Sequence, residues 1–226
     1  MSEEAKQKKK VYVETTVVSD ATALPSKDLI LAGRQIVSRE WLERADLEYE
    51  LYSSFLVRRE SLKGDADAAA RRMAALANMR ELQADDRAQK LAVKLLEGKA
   101  VPKEYPDDAL HIATAALNRM DYLVSWNFKH ITNAHTIPLV KRICEENGYV
   151  CPEICTPQIR RLGMTTEMRY DEGLEEIWRI KREIASEYPT LEDYFKGMMD
   201  YQEELRHQGV KFVRLPPREH RNNFKP

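Results

Sequence analysis

The sequence predicts an α/β protein: a parallel sheet flanked by helices, followed by a helical C-terminal extension with an extended basic tail. Three observations carry this. Strongly β-forming runs, Val11-Tyr12-Val13 and Tyr122-Leu123-Val124, are separated by stretches of helical periodicity, an alternation that implies parallel strands joined by helices. After Cys155-Thr156-Pro157 the alternation stops and residues 165–195 become a highly charged helical stretch. From Arg206 onward, six basic residues (Arg206, Lys211, Arg214, Arg218, Arg221, Lys225) face the single acid Glu219.

In chain order, Lys8, Lys9 and Lys10 read as a solvated lead-in to a buried first strand, which delivers Glu14 at its end before Thr15-Thr16-Val17-Val18 turns into a loop. Leu29, Ile30, Ile36, Val37, Trp41 and Leu42 have helical spacing, with Ser26 as the expected N-cap. Residues 52–62 read as a short strand leading into a helix that carries Glu60. Asp65 opens an Ala-rich helix through Arg80, and Asp85 or Asp86 caps another with Leu91, Ala92, Leu95 and Leu96 on one face. Pro106-Asp107 starts a helix of small and apolar residues, with Asp108 in its first turn. The β run from Tyr122 ends at Ser125-Trp126-Asn127, and residues 138–146 form a helix closed by Asn147-Gly148. Pro189 interrupts the charged stretch, a further helix runs from Leu191 to Gln208, and Val210 onward is extended around Pro216-Pro217. The reading divides the chain into residues 1–160 and 164–226, with the boundary near Gly163-Met164.

Composition sets limits on function. The chain has 226 residues, 43% hydrophobic and 32% charged, the balance of a soluble globular protein. No segment approaches the roughly 18 apolar residues a membrane span needs. The charged N-terminus lacks the apolar stretch of a signal peptide, so a cytoplasmic protein is expected. Cys144, Cys151 and Cys155 lack the spacing of a zinc site and are expected as free thiols. A net charge of −1 argues against a generic polyanion binder. No helix-turn-helix pattern is present, which disfavours a DNA-binding autoregulator.

Acids delivered by separate elements are the chemistry-bearing feature. Hard divalent cations take oxygen ligands, and two to four converging carboxylates can hold one beside a phosphate. Taken singly, each acid has a plainer explanation: Asp108 is a helix N-terminal charge and Asp107 a helix cap. His111 and His130 are candidates for acid–base work, although a lone histidine more often has a structural role.

Resemblance adds to this. Val11-Tyr12-Val13-Glu14-Thr15-Thr16-Val17-Val18-Ser19 resembles the opening of PIN-domain nucleases. Ser54-Phe55-Leu56-Val57-Arg58-Arg59-Glu60 is similar to their second motif. Asp107-Asp108-Ala109-Leu110-His111-Ile112-Ala113-Thr114-Ala115 and Tyr122-Leu123-Val124-Ser125-Trp126-Asn127-Phe128-Lys129-His130-Ile131 resemble the third and fourth. Residues 11–157 thus carry four motifs in family order. The resemblance implies a ribonuclease dependent on Mg or Mn, most often the VapC-like toxin half of a bacterial toxin–antitoxin pair, acting on RNA and commonly a homodimer. Carried over by position, Glu14, Glu60 and Asp108 would ligate the metal, Thr16 and Ser125 would orient ligand or substrate, and Asn127 would take the fourth acidic place. Two departures stand out. Glu14 occupies a position that is mostly Asp in the wider family, and Asn127 offers a neutral carbonyl, so a second metal is expected to bind more weakly.

The C-terminal part, Glu172-Gly173-Leu174-Glu175-Glu176-Ile177-Trp178-Arg179-Ile180-Lys181-Arg182-Glu183-Ile184-Ala185 with Val210-Lys211-Phe212-Val213-Arg214-Leu215-Pro216-Pro217-Arg218, resembles the antitoxin-type protein encoded beside such toxins. A helix bearing Leu174, Ile177, Trp178 and Ile184 would lie in a groove of the nuclease domain, in cis or in trans. Arg214 and Arg218, flanked by Phe212 and Leu215, would reach the acidic pocket and displace metal. The expectation is a self-restrained ribonuclease. The alternative is a catalytically degenerate regulatory or scaffold module that binds a partner through its helical tail.

Overall fold

A computed structural model describes residues 8–157 and 172–215 of the chain. Six parallel strands form one sheet among the described residues, in the order β5-β4-β1-β2-β3-β6. The strands are β1 (Lys9–Val13), β2 (Tyr49–Ser54), β3 (Arg80–Leu82), β4 (Tyr122–Val124), β5 (Glu153–Cys155) and β6 (Phe212–Val213). Because every pairing is parallel, all the strands' carboxyl ends point to one edge of the sheet. From β1 the chain builds to one side through β2 and β3 and to the other through β4 and β5, so the strand order reverses between β1 and β4. A crevice opens at such a reversal, and ligands collect there.

The helices follow from local chemistry. Glu14 caps α1 (Thr15–Thr22) by accepting from Thr16 N–H. The long α2 (Leu29–Glu48) is capped by Asp28, which binds the backbone of Ile30 and Leu31. The expected cap, Ser26, stands just outside and accepts from Asp28 N–H at 3.1 Å. The helix α3 (Phe55–Ser61) continues directly from β2, and Asp65 caps α4 (Ala66–Leu76). The helical expectation through Arg80 fails there, because Arg80-Glu81-Leu82 pairs with β2 as a strand. The remaining helices before residue 157 are α5 (Asp86–Glu97), capped by Asp85, α6 (Pro106–Leu117), with proline in its first turn, and α7 (Ile137–Glu146). Gly148, at φ 79°, ends the last of these in the left-handed conformation that favours glycine.

Two helices follow, α8 (Glu172–Ser186) and α9 (Leu191–His207). They share the core of the sheet domain: Trp178, Ile180, Ile184, Tyr194, Phe195, Met198 and Leu205 belong to the same buried cluster as Val11, Tyr12, Leu56 and Ile112. Gln202 donates to Ala84 O and accepts from Ala84 N–H, both at 2.9 Å, completing two buried backbone groups. Arg59 ties α3 to the turn after α8 through Glu187 at 2.8 Å and the Tyr188 ring. Just beyond α9, Phe212-Val213 adds the sheet's edge strand beside β3. The arm therefore augments the sheet at this point, where the sequence predicted an extended segment reaching the acidic pocket. Arg214 pairs with Asp85 at 3.0 Å on the surface, not with the acids of the crevice. Arg218, the Gly163-Met164 boundary and the side chain of Leu174 lie outside the described residues. Among those described, no helix is long and apolar enough to cross a membrane.

Candidate metal centre closed by a lysine

Four elements deliver charged groups to the crevice. Glu14 leaves the end of β1, Glu60 comes from α3, and Asp108 stands in the first turn of α6. Lys181 enters from α8, and its ammonium lies 3.1 Å from Glu14 Oε1, 3.2 Å from Glu60 Oε1 and 2.7 Å from Asp108 Oδ1. The three acids and the lysine are all fully buried, at 0–1% exposure. Three carboxylates forced together without water would repel strongly, and the lysine is the charge that lets them coexist.

Each acid turns one oxygen to the ammonium while the protein holds the other. Glu14 Oε2 accepts from Thr16 N–H at 3.0 Å, Thr16 Oγ1 at 2.5 Å and Ser125 Oγ at 2.8 Å. Thr16 Oγ1 in turn accepts from Trp126 N–H at 2.8 Å, and Asn127 N–H donates to Ser125 Oγ at 2.9 Å, so the loop after β4 is tied to the acid after β1. Glu60 Oε2 accepts from Thr15. Asp108 Oδ2 accepts from His130 Nδ1 at 2.8 Å, and the His130 ring stacks 3.8 Å from that of Tyr105. His111 Nε2 lies 3.1 Å from Glu60 Oε1, which makes it a donor to an ionised carboxylate; in the neutral ring Nδ1 then accepts from Tyr12, 2.6 Å away.

The titration of these groups follows from the same geometry. Burial alone pushes Glu60 up, but Lys181, with His111 and Thr15, outweighs it and holds the carboxyl at about 2. Asp108 is likewise held well below the usual carboxylate range, burial being overcome by Lys181 and His130. Lys181 is disfavoured by its own burial, yet Asp108, Glu60, Glu14 and Asp107 raise it well above an ordinary lysine. Asp107, expected as a simple cap, is buried at 1% and pushed up to about 7 by desolvation and by the charge of Glu60.

The structure brings together Glu14, Glu60, Asp108, Thr16 and Ser125 among the residues singled out from sequence. Asn127 sits beside them, but its Oδ1 is occupied: it accepts from His130 N–H at 3.1 Å and from Trp178 Nε1 at 3.3 Å. Lys181 was missed by sequence reasoning because a lysine in a charged helix reads as solvated. Its signal was position: it follows Ile177 by four residues and precedes Ile184 by three, which puts it on the apolar face. His111 is drawn fully into the centre, where Glu14, Glu60 and His111 present ligand atoms within 4.8 Å of one another and could hold a metal ion. No family model matches the chain, and neither does any curated protein or solved structure.

Proposed function

We propose that the chain is a metal-dependent phosphodiesterase, a ribonuclease of the PIN type, kept latent by its own C-terminal segment. The observation that carries this reading is the cage itself: three buried carboxylates from three elements, each with one oxygen anchored, converge on a single cation. Such a donor set suits Mg or Mn, both hard ions that favour carboxylate oxygen. Lys181 stands in for that ion, as an ammonium is the cation a polypeptide can itself provide. Glu14, Glu60 and Asp108 would hold the metal, with His111 a further ligand within reach of the first two. A bound divalent ion at this point supplies an activated water and neutralises charge on the phosphoryl oxygens.

The chain's own groups do the remaining work. Thr16 and Ser125 fix the rotamer of Glu14, His130 fixes Asp108, and Thr15 fixes Glu60, so ligand positions are set before any ion arrives. With α8 docked, Lys181 sits among the acids and Trp178 against Asn127, where they would exclude an RNA phosphate. The toxin-like assignment rests on the four-motif resemblance, and a homodimer and an RNA substrate are parts of the same reading.

The decisive experiment compares the full chain with Lys181→Met and with Lys181→Met/Asp108→Ala on total RNA in Mn or Mg. The expected result is cleavage by the single variant alone. Truncation before α8 is the poorer test, because Gln202 and β6 complete the β3 side of the sheet. A folded, metal-loaded Lys181→Met that leaves RNA intact would overturn the enzyme reading. The competing one, a degenerate scaffold module, is favoured by Asn127 at the fourth acidic position.

A further inference from the structure

Three residues before Lys181 and on the same face of α8, Trp178 makes a second contact with the crevice that the metal centre does not use. Its indole is almost wholly buried and belongs to a row of rings: Tyr105 and His130 stack with centroids 3.8 Å apart, and the His130 centroid is 6.1 Å from that of Trp178. The exposed Lys129 holds its ammonium 4.8 Å from the centre of the indole and 5.9 Å from that of the Tyr105 ring. At the edge of the indole, Nε1–H donates to Asn127 Oδ1 at 3.3 Å. That oxygen also accepts from His130 N–H at 3.1 Å, so two N–H donors converge on it and fix which end of the amide is oxygen. The other end, Nδ2, is a buried donor with no hydrogen-bond partner among the described residues. A buried donor left unmade costs stability, and an apolar side chain of the same shape would avoid that cost.

A cation over the face of a flat bicycle, aromatic rings beside it and an amide at its edge are the contacts by which proteins hold an unstacked nucleobase. Indole has the size and shape of a purine, but it offers the amide only a donor. Adenine carries a donor and an acceptor side by side, which matches both the acceptor and the idle donor of an asparagine. Resting on the ribonuclease reading above, we infer that Asn127, Lys129 and His130 form a nucleobase subsite that prefers adenine, and that Trp178 occupies it while α8 is docked. Asn127, at the place where a fourth acid would face the metal, reads the base instead. The subsite is in register with the metal centre, because the His130 ring also holds Asp108. Trp178 and Lys181 are about 4.5 Å apart along the helix axis. The helix therefore sets a base-like ring and a cation at adjacent points, as a bound nucleotide would set its base and the metal beneath its phosphate.

The test is nucleoside binding to the full chain in EDTA, measured by isothermal calorimetry. Trp178→Ala, which vacates the subsite, is titrated with adenosine, with cytidine and with N6,N6-dimethyladenosine, whose exocyclic amine can no longer donate. The same series is run on wild type and on Trp178→Ala/Asn127→Leu, each checked for folding by circular dichroism. The expected result is that Trp178→Ala binds adenosine about tenfold or more tightly than it binds the other two nucleosides and than wild type binds adenosine, and that Asn127→Leu abolishes the preference. No adenosine binding by Trp178→Ala, wild-type binding as tight, or a pattern that Asn127→Leu leaves unchanged overturns the subsite; the last is how a merely vacated apolar cavity would behave. Should Trp178→Ala not fold, Trp178→Leu keeps an apolar contact on α8 and the same comparison decides. No metal takes part, so the two readings fail separately. Lys181→Met that cleaves RNA beside a Trp178→Ala that ignores adenosine sinks the subsite alone, and Lys181→Met that binds no metal sinks the reading on which it rests.

Discussion

At the scale of single residues, Lys181 sets the behaviour of the site. Removing one partner of a buried ionic cluster typically costs about 3–5 kcal/mol because the remaining charges are left uncompensated. Lys181→Met is therefore expected to melt well below wild type in EDTA and to recover much of the loss in millimolar Mn, whereas the wild-type midpoint should hardly respond to either. Calorimetry in the two buffers checks this, and a variant indifferent to metal would contradict the cage reading. Acid acts on the same cluster with a definite sign. Glu60 and Asp108 are held below their unfolded values, so they contribute stability above the ordinary carboxylate range and lose it as the pH falls; for Glu60 the loss runs from about 4.5 to about 2. Asp107 runs the other way. Its folded value of about 7 lies above that of the unfolded chain, so its contribution is present at low pH and is lost as the pH rises toward neutrality. Asp107→Asn should accordingly raise the melting temperature at pH 8 relative to wild type and leave it nearly unchanged at pH 4. A melting series across that range measures the difference.

Among the secondary-structure elements, α9 is the part whose packing is most open to test. Gln202 completes both backbone groups of Ala84 in a buried setting. Gln202→Leu leaves a donor and an acceptor unsatisfied, an expected loss of about 1–3 kcal/mol in denaturant unfolding. Gly197 lies against the Tyr188 ring so closely that a Cβ would overlap it. That ring is itself held by Arg59 and meets the Tyr194 ring edge-on at 5.7 Å. Gly197→Ala should loosen the α8–α9 turn and raise RNA cleavage above the latent level, which a fluorogenic RNA substrate would detect. Elements also divided in how plainly the sequence announced them. The β-forming runs of β1 and β4 and the proline start of α6 were legible, because each carries an uninterrupted apolar run or a terminal signal. Strands β3, β5 and β6, of three, three and two residues, are too short to show alternation. Their existence depends on neighbours already in place.

At the scale of the whole molecule, the acids of the site were legible and its cation was not. Glu14, Glu60 and Asp108 lie at element ends, where motif and topology agree, so sequence order carried them to one crevice. The partner that closes the crevice comes from a helix more than seventy residues further on, and only tertiary packing distinguishes Lys181 from the solvated lysines around it. Arg214, chosen for charge, missed because the chain turns into the sheet there and the guanidinium pairs with Asp85 instead of the acids. That strand, β6, has a kinetic meaning of its own. A restraint supplied by a separate polypeptide is released by dilution below its dissociation constant. Here the helix that carries Lys181 is covalently attached, and the chain beyond α9 joins the same sheet, so it meets the crevice at an effective concentration set by geometry, on the order of millimolar or above. On the proposed reading, any RNA-cleaving activity of the wild-type chain should then be flat from micromolar to picomolar protein, and a release of the restraint would have to act on the chain rather than on its abundance.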